Sequence, residues 1–128
     1  MGSLKVVESL KAGGIIAIIR GDYPGDTLLR IVDTLVGAGV TSVEVTLNSR
    51  GALQGIAALR ARLGTDALIG AGTVRTEADV RAAISAGAQF LVSPNFDPAS
   101  VTASQAADVV HLPGVFTASE AQAAHAAG

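Results

Sequence analysis

The chain contains no cysteine and no tryptophan, and its aromatic side chains are one tyrosine and three phenylalanines. Without thiols there is no disulfide, no thiolate nucleophile and no cysteine-ligated zinc. Positive charge is also scarce: nine basic residues, dispersed along the chain, stand against eleven acidic ones, for a net charge of −2. That leaves no basic patch for a nucleic-acid backbone and no polybasic membrane anchor. No apolar run approaches the roughly 20 residues of a membrane span, and the first residues lack a charged stretch followed by an apolar one. What is present is apolar bulk, 49% of 128 residues with only 16% charged, enough to build a core and to exclude disorder. The expectation is a soluble, cytoplasmic, single domain over residues 1–128.

Short apolar runs begin at Ile15, Ser42, Leu68, Phe90 and Val109, separated by stretches with helical spacing such as Leu28, Leu29, Val32, Leu35 and Val36. Thr76 with Asp79 and Thr117 with Glu120 have capping-box spacing, and Asp97-Pro98 sets an N-cap before a proline. Helix stops are marked at Gly39, Gly64, Gly87 and Gly128, because glycine accepts the left-handed conformation. Alternating strands and helices imply an α/β fold around a parallel sheet, with a leading helix over Leu4 to Lys11 and five βα units. Every earlier helix stop is followed by a strand. An open five-strand sheet and the N-terminal part of a longer barrel both fit this pattern. Either would leave inner apolar residues such as Ile16, Ile18, Phe90 and Val92 open to water.

The second strand is unusual. Ser42, Glu44, Thr46 and Asn48 share one parity, and Val43, Val45 and Leu47 the other. Central parallel strands are normally apolar on both faces. Glu44 therefore belongs to a solvated edge strand or to a polar site near the C-terminal strand ends, where α/β sheets keep their chemistry. Arg20, Thr73 and Pro94-Asn95 also end their strands, and four consecutive polar or turn-forming ends favour a shared site.

Other motifs carry less. Gly70-Ala71-Gly72 lacks the third glycine and the later acidic residue of a dinucleotide site, so nicotinamide binding is rejected. Its glycines are expected to clear the inner face and leave Thr73 at a cavity mouth. His111, in an apolar strand, reads as a packed or hydrogen-bonded residue, and His125 as exposed. No metal-ligand spacing occurs, and no cofactor is implied. Ser49 and Ser93 lack a neighbouring base for a hydrolase triad. Lys5 and Lys11 flank the leading helix, away from the strand ends.

Ile18-Ile19-Arg20-Gly21, Val43-Glu44-Val45-Thr46-Leu47-Asn48-Ser49, Gly70-Ala71-Gly72-Thr73-Val74, Val92-Ser93-Pro94-Asn95 and Pro113-Gly114-Val115-Phe116-Thr117 stand in an order that resembles the KDPG/KDPGal aldolases. The resemblance covers nearly the whole chain and implies a (β/α)8 TIM barrel, here cut to the leading helix and five βα units. It implies a class I aldolase that cleaves a phosphorylated 2-keto-3-deoxy sugar acid to pyruvate and glyceraldehyde 3-phosphate, usually as a homotrimer. By the same resemblance Glu44 is the general acid and base, Arg20 and Thr73 hold the pyruvate carboxylate, and Pro94 shapes the pocket wall. Asn48 and Asn95 look like the phosphogalactonate branch; the phosphogluconate branch has arginine and glycine there. The family's Schiff-base lysine, on a sixth strand, and its phosphate-binding loops are expected after Gly128. Two other readings stand beside this one. One is an inactive half-barrel that binds or assembles through its open sheet edges. The other is a phosphate-binding barrel enzyme sharing only the fold, against which the strand-two Glu-Val-Thr-Leu-Asn-Ser run argues.

Overall fold

The computed structural model describes residues 2–128. Five strands, β1 (Ala17–Ile19), β2 (Ser42–Thr46), β3 (Leu68–Gly72), β4 (Phe90–Ser93) and β5 (Val110–Pro113), form one sheet in chain order. Every neighbouring pair is parallel, with Ala17 opposite Val43, Glu44 opposite Gly70, Ala71 opposite Leu91 and Leu91 opposite His111. The helices are α1 (Ser3–Gly13), α2 (Gly25–Gly37), α3 (Ala52–Leu63), α4 (Glu77–Ser85), α5 (Pro98–Ala106) and α6 (Ala118–Ala126). The leading helix and the five βα units are as the sequence pattern requires. None of the helices is long and apolar enough to cross a membrane, among the described residues.

The strand residues divide by parity between two cores. Val43, Val45, Ile69, Ala71 and Leu91 face the helices and pack with Val32, Ile56, Leu59 and Val80. Each such fully buried aliphatic side chain contributes about 1.5–3 kcal/mol of transfer free energy, so this layer holds the sheet to its helices. On the opposite face, Leu68, Phe90 and Val110 pack against Val6, with Val7 and Leu10 partly buried beside them. Those three residues open β3, β4 and β5. Helix α1 therefore closes the N-terminal end of the inner face, and the C-terminal end is left for polar side chains. Lys5 and Lys11, exposed on α1, lie at the closed end.

One expectation about this face needs correction. Ile18 is open to water, 63% exposed, but Phe90 is fully buried. Its ring occupies the space beside Gly70, where a Cβ would stand 2.4 Å from Cε2, and it packs in the same cluster as Val6 of α1. Helix starts follow their caps: Thr76 and Thr117 both complete capping boxes, and Asp97 accepts from the Ser100 amide.

Candidate functional site

Strand β2 lies between β1 and β3, and its even positions face the inner side. Glu44 is thus an interior residue, 3% exposed, and the solvated-edge reading does not hold. Its carboxyl lies against Gly72: a Cβ there would meet Oε1 at 2.2 Å, Cδ at 2.8 Å and the Thr46 methyl at 3.2 Å. The two glycines of β3 were expected to leave open space, but each is filled by a neighbour, Gly70 by Phe90 and Gly72 by Glu44. The sequence concealed this pairing, because parity assigns a face and not the side chain that leans across it. Register supplies a partial signal, since Thr46 stands opposite Gly72 and Glu44 opposite Gly70.

Thr73 follows at the end of β3 with φ +58°, a left-handed conformation rare for a β-branched residue. Its hydroxyl accepts from Arg20 Nη2 at 3.5 Å, a long contact across the end of β2. Burial raises the Glu44 pKa, and the Arg20 charge opposes the rise only in part. Among the described residues, no donor bonds the Glu44 carboxyl. Since no side-chain polar atom is both sealed and unpartnered among the described residues, the carboxyl keeps an opening to solvent. A protonatable carboxyl in a poorly solvated slot, with a guanidinium and a hydroxyl at its mouth, can move a proton beside a bound anion.

The other sequence-derived positions sit on exposed loops along the same edge. Asn48 lies in the turn after β2, which is fixed from both sides. The Ser49 hydroxyl accepts from the Gly21 amide at 3.0 Å and bonds the Thr46 hydroxyl at 3.0 Å, while the Arg50 amide donates to Asp22 at 2.6 Å. Pro94 and Asn95 follow β4, where the Ser93 hydroxyl donates to the Asn95 carbonyl at 2.8 Å and the Gly114 amide donates to Ser93 O at 2.8 Å. His111 stands behind this turn, with Nε2 3.0 Å from Ser93 Oγ and Nδ1 3.1 Å from Ser104 Oγ. Both hydroxyls also donate to backbone carbonyls, Ser93 to Asn95 O and Ser104 to Val101 O at 2.8 Å, so the ring is held between two serine oxygens from β4 and α5. Burial lowers the His111 pKa and favours the neutral ring. The structure thus gathers Glu44, Arg20 and Thr73, whereas Asn48, Pro94 and Asn95 make no side-chain hydrogen bond to them. Neither histidine belongs to a possible metal cluster among the described residues.

A cavity of about 470 Å³ lies away from this cluster, beside β5, lined by residues including Leu4, Val7, Phe96, Val109 and Ala124. Glu44 does not line it.

Comparison with known proteins gives concordant matches. The family model described as "KDPG and KHG aldolase" matches residues 6–128. A probable 2-dehydro-3-deoxy-6-phosphogalactonate aldolase of Rhizobium meliloti is 40% identical over 114 residues, 89% of this chain and 53% of the relative. A 2-dehydro-3-deoxy-phosphogluconate aldolase of Treponema pallidum is 33% identical over 94% of this chain and 57% of the relative. Among solved structures, the 4-hydroxy-2-oxoglutarate/phosphogluconate aldolase from TTHB1 superposes with a TM-score of 0.84 at 36% identity, covering 100% of this chain and 60% of that one. The chain spans about half the length of the curated relatives it matches.

Proposed function

Because the chain belongs to the KDPG and KHG aldolase family, we propose that it carries the proton-transfer and carboxylate-binding part of a class I aldolase site for 2-dehydro-3-deoxy-6-phosphogalactonate. The observation that supports this most directly is the buried, protonation-prone Glu44 with Arg20 at its side. In the reaction a lysine amine condenses with the substrate ketone, releasing water. The protonated imine then takes up the electron pair as C3–C4 breaks, and the C4 hydroxyl loses its proton as the aldehyde forms. Glu44 is the group that accepts that proton and returns one to C3 of the enamine. Arg20 and Thr73 grip the carboxylate of the pyruvate moiety. Lys5 and Lys11 lie on α1 at the closed end of the sheet, so the imine-forming lysine is assigned to the part of the relatives' length that this chain does not span.

The phosphogalactonate substrate draws support from the 40% identity to the Rhizobium meliloti protein and from Asn48 and Asn95 at the strand ends. The phosphogluconate or 4-hydroxy-2-oxoglutarate substrate is the competing choice, supported by the Treponema pallidum and TTHB1 proteins. The assembled enzyme is proposed to be a homotrimer. An assembly module without chemistry of its own is the second reading, favoured by the free edges of β1 and β5.

A chimera that continues Gly128 with the C-terminal part of the Rhizobium meliloti relative tests the proposal. With pyruvate and borohydride it should trap one lysine in the added part, and it should cleave phosphogalactonate in preference to phosphogluconate. Glu44→Gln in the chimera should still trap pyruvate while turnover falls about 10²–10⁴-fold. Stoichiometric trapping at Lys5 or Lys11 of the present chain, or normal turnover by the Gln variant, would overturn the assignment.

A further inference from the structure

Two glycines two residues apart on β3 face the same side of the sheet, and they admit different neighbours. At Gly70 an added Cβ would strike the Phe90 ring at 2.4, 2.5 and 2.6 Å. Phe90 is fully buried and cannot retreat, so this glycine serves core packing. At Gly72 the added Cβ would meet the far end of Glu44, with Oε1 at 2.2 Å and Cδ at 2.8 Å, while the Thr46 methyl at 3.2 Å would need to give by only a few tenths of an ångström. The backbone itself gives no reason for glycine there. Gly72 is absent from the glycines with positive φ, sits in a regular parallel strand and carries an ordinary carbonyl bond from the Leu47 amide at 2.9 Å.

We infer that Gly72 is a positioning residue for Glu44: its missing side chain forms the slot that holds the carboxyl on the inner face, between β2 and β3 and beside Arg20. A methyl group at this position leaves the strand intact and pushes the carboxyl out of the slot, toward water. On β1, Arg20 is the charged neighbour and Ile18 stands opposite Glu44; β3 offers Gly70 opposite and Gly72 against the carboxyl, and β2 itself offers Thr46. None of these except Arg20 is charged, so the environment that sets the titration of Glu44 is burial in the slot against one guanidinium. The importance of this for catalysis rests on the aldolase reading above; the placement does not.

The experiment is a carboxyl titration followed by NMR on the 128-residue chain with labelled glutamate. Glu8, Glu44, Glu77 and Glu120 are the four signals, and Glu44 is assigned by its loss in Glu44→Gln. Glu44 should titrate above the ordinary glutamate range in the parent chain. Gly72→Ala should bring it down toward the ordinary glutamate range with little change in the urea midpoint, whereas Gly70→Ala should lower the midpoint clearly and leave the Glu44 titration in place. An unchanged Glu44 titration in Gly72→Ala, or an equal displacement by both variants, overturns the inference. If Gly72→Ala does not fold, the pairing with Glu44→Asp decides: the shorter side chain withdraws from the slot, so the double variant should fold, and its failure also overturns the inference. In the chimera, Gly72→Ala should reduce kcat by roughly 10²-fold with KM preserved, as expected for a misplaced proton-transfer group. The titration uses no substrate, so a chimera without aldolase activity would sink the functional reading and leave the slot standing.

Discussion

A carboxyl buried without a hydrogen-bonding partner favours its protonated form, and Glu44 is in that position, with only the Arg20 charge pulling the other way. The consequence for stability has a definite sign. The folded chain binds the Glu44 proton more tightly than the unfolded chain does, so stability is fully present below the ordinary carboxylate range. It is lost as the pH rises through the raised folded-state value. Glu44→Gln removes this loss. Urea unfolding between pH 4 and pH 8 should show the variant more stable than the parent at the neutral end and indistinguishable from it at the acid end. Parity and position in the sequence pointed to Glu44, Arg20, Thr73 and Pro94-Asn95, of which the structure brings the first three together. They did not distinguish a solvated edge from an interior slot, because that depends on which strands flank β2. The link from His111 through Ser93 to the Asn95 carbonyl was beyond reach for a similar reason: its members lie 18 residues apart and meet only once β4 and β5 are in register.

At the level of the elements, local signals were the reliable ones. Capping boxes at Thr76 and Thr117 and the cap at Asp97, just before Pro98, mark helix starts with hydrogen bonds made within three residues. Strand limits depend on the partner strand and were less legible. The apolar run from Ile15 becomes a strand only at Ala17, since β1 has β2 alone to pair with and the register begins at Ala17 opposite Val43. The two capping boxes should nevertheless differ in worth. Helix α4 buries Val80 and Ala83, while α6 buries nothing. Thr76→Ala should therefore cost about 1 kcal/mol of global stability. Thr117→Ala should leave the global transition nearly unchanged and appear instead as faster amide exchange confined to residues 118–126.

The whole molecule exposes more surface than a closed one of its mass. Its accessible area is 6918 Å², against about 6,200 Å² for a compact monomer by the usual scaling. The excess has identifiable sources in Ile18, 63% exposed, Phe116, 96% exposed, and the uncovered length of α6. Limited proteolysis should remove α6 first and leave a core from α1 to β5. Light scattering should show association that grows with concentration through the apolar inner face and free edges. A monomer at all concentrations with protease-resistant α6 would contradict both expectations.

Strand order along the sheet is also the order of synthesis, and this has a consequence for how the chain is born. Each βα unit emerging from the ribosome finds its partner strand already made, so the sheet can grow one strand at a time with short loop closures. Helix α1 is the exception. Val6 packs with Val110, and the Ser3 hydroxyl donates to Asp108 at 2.5 Å, across a separation of 105 residues. The helix that comes first in this sequence thus completes its packing only when β5 is present. A released chain truncated before Asp108 should carry β1 to β4 assembled with α1 held only by Leu68 and Phe90 and readily cut by protease, and α1 should become protected once the chain extends through β5.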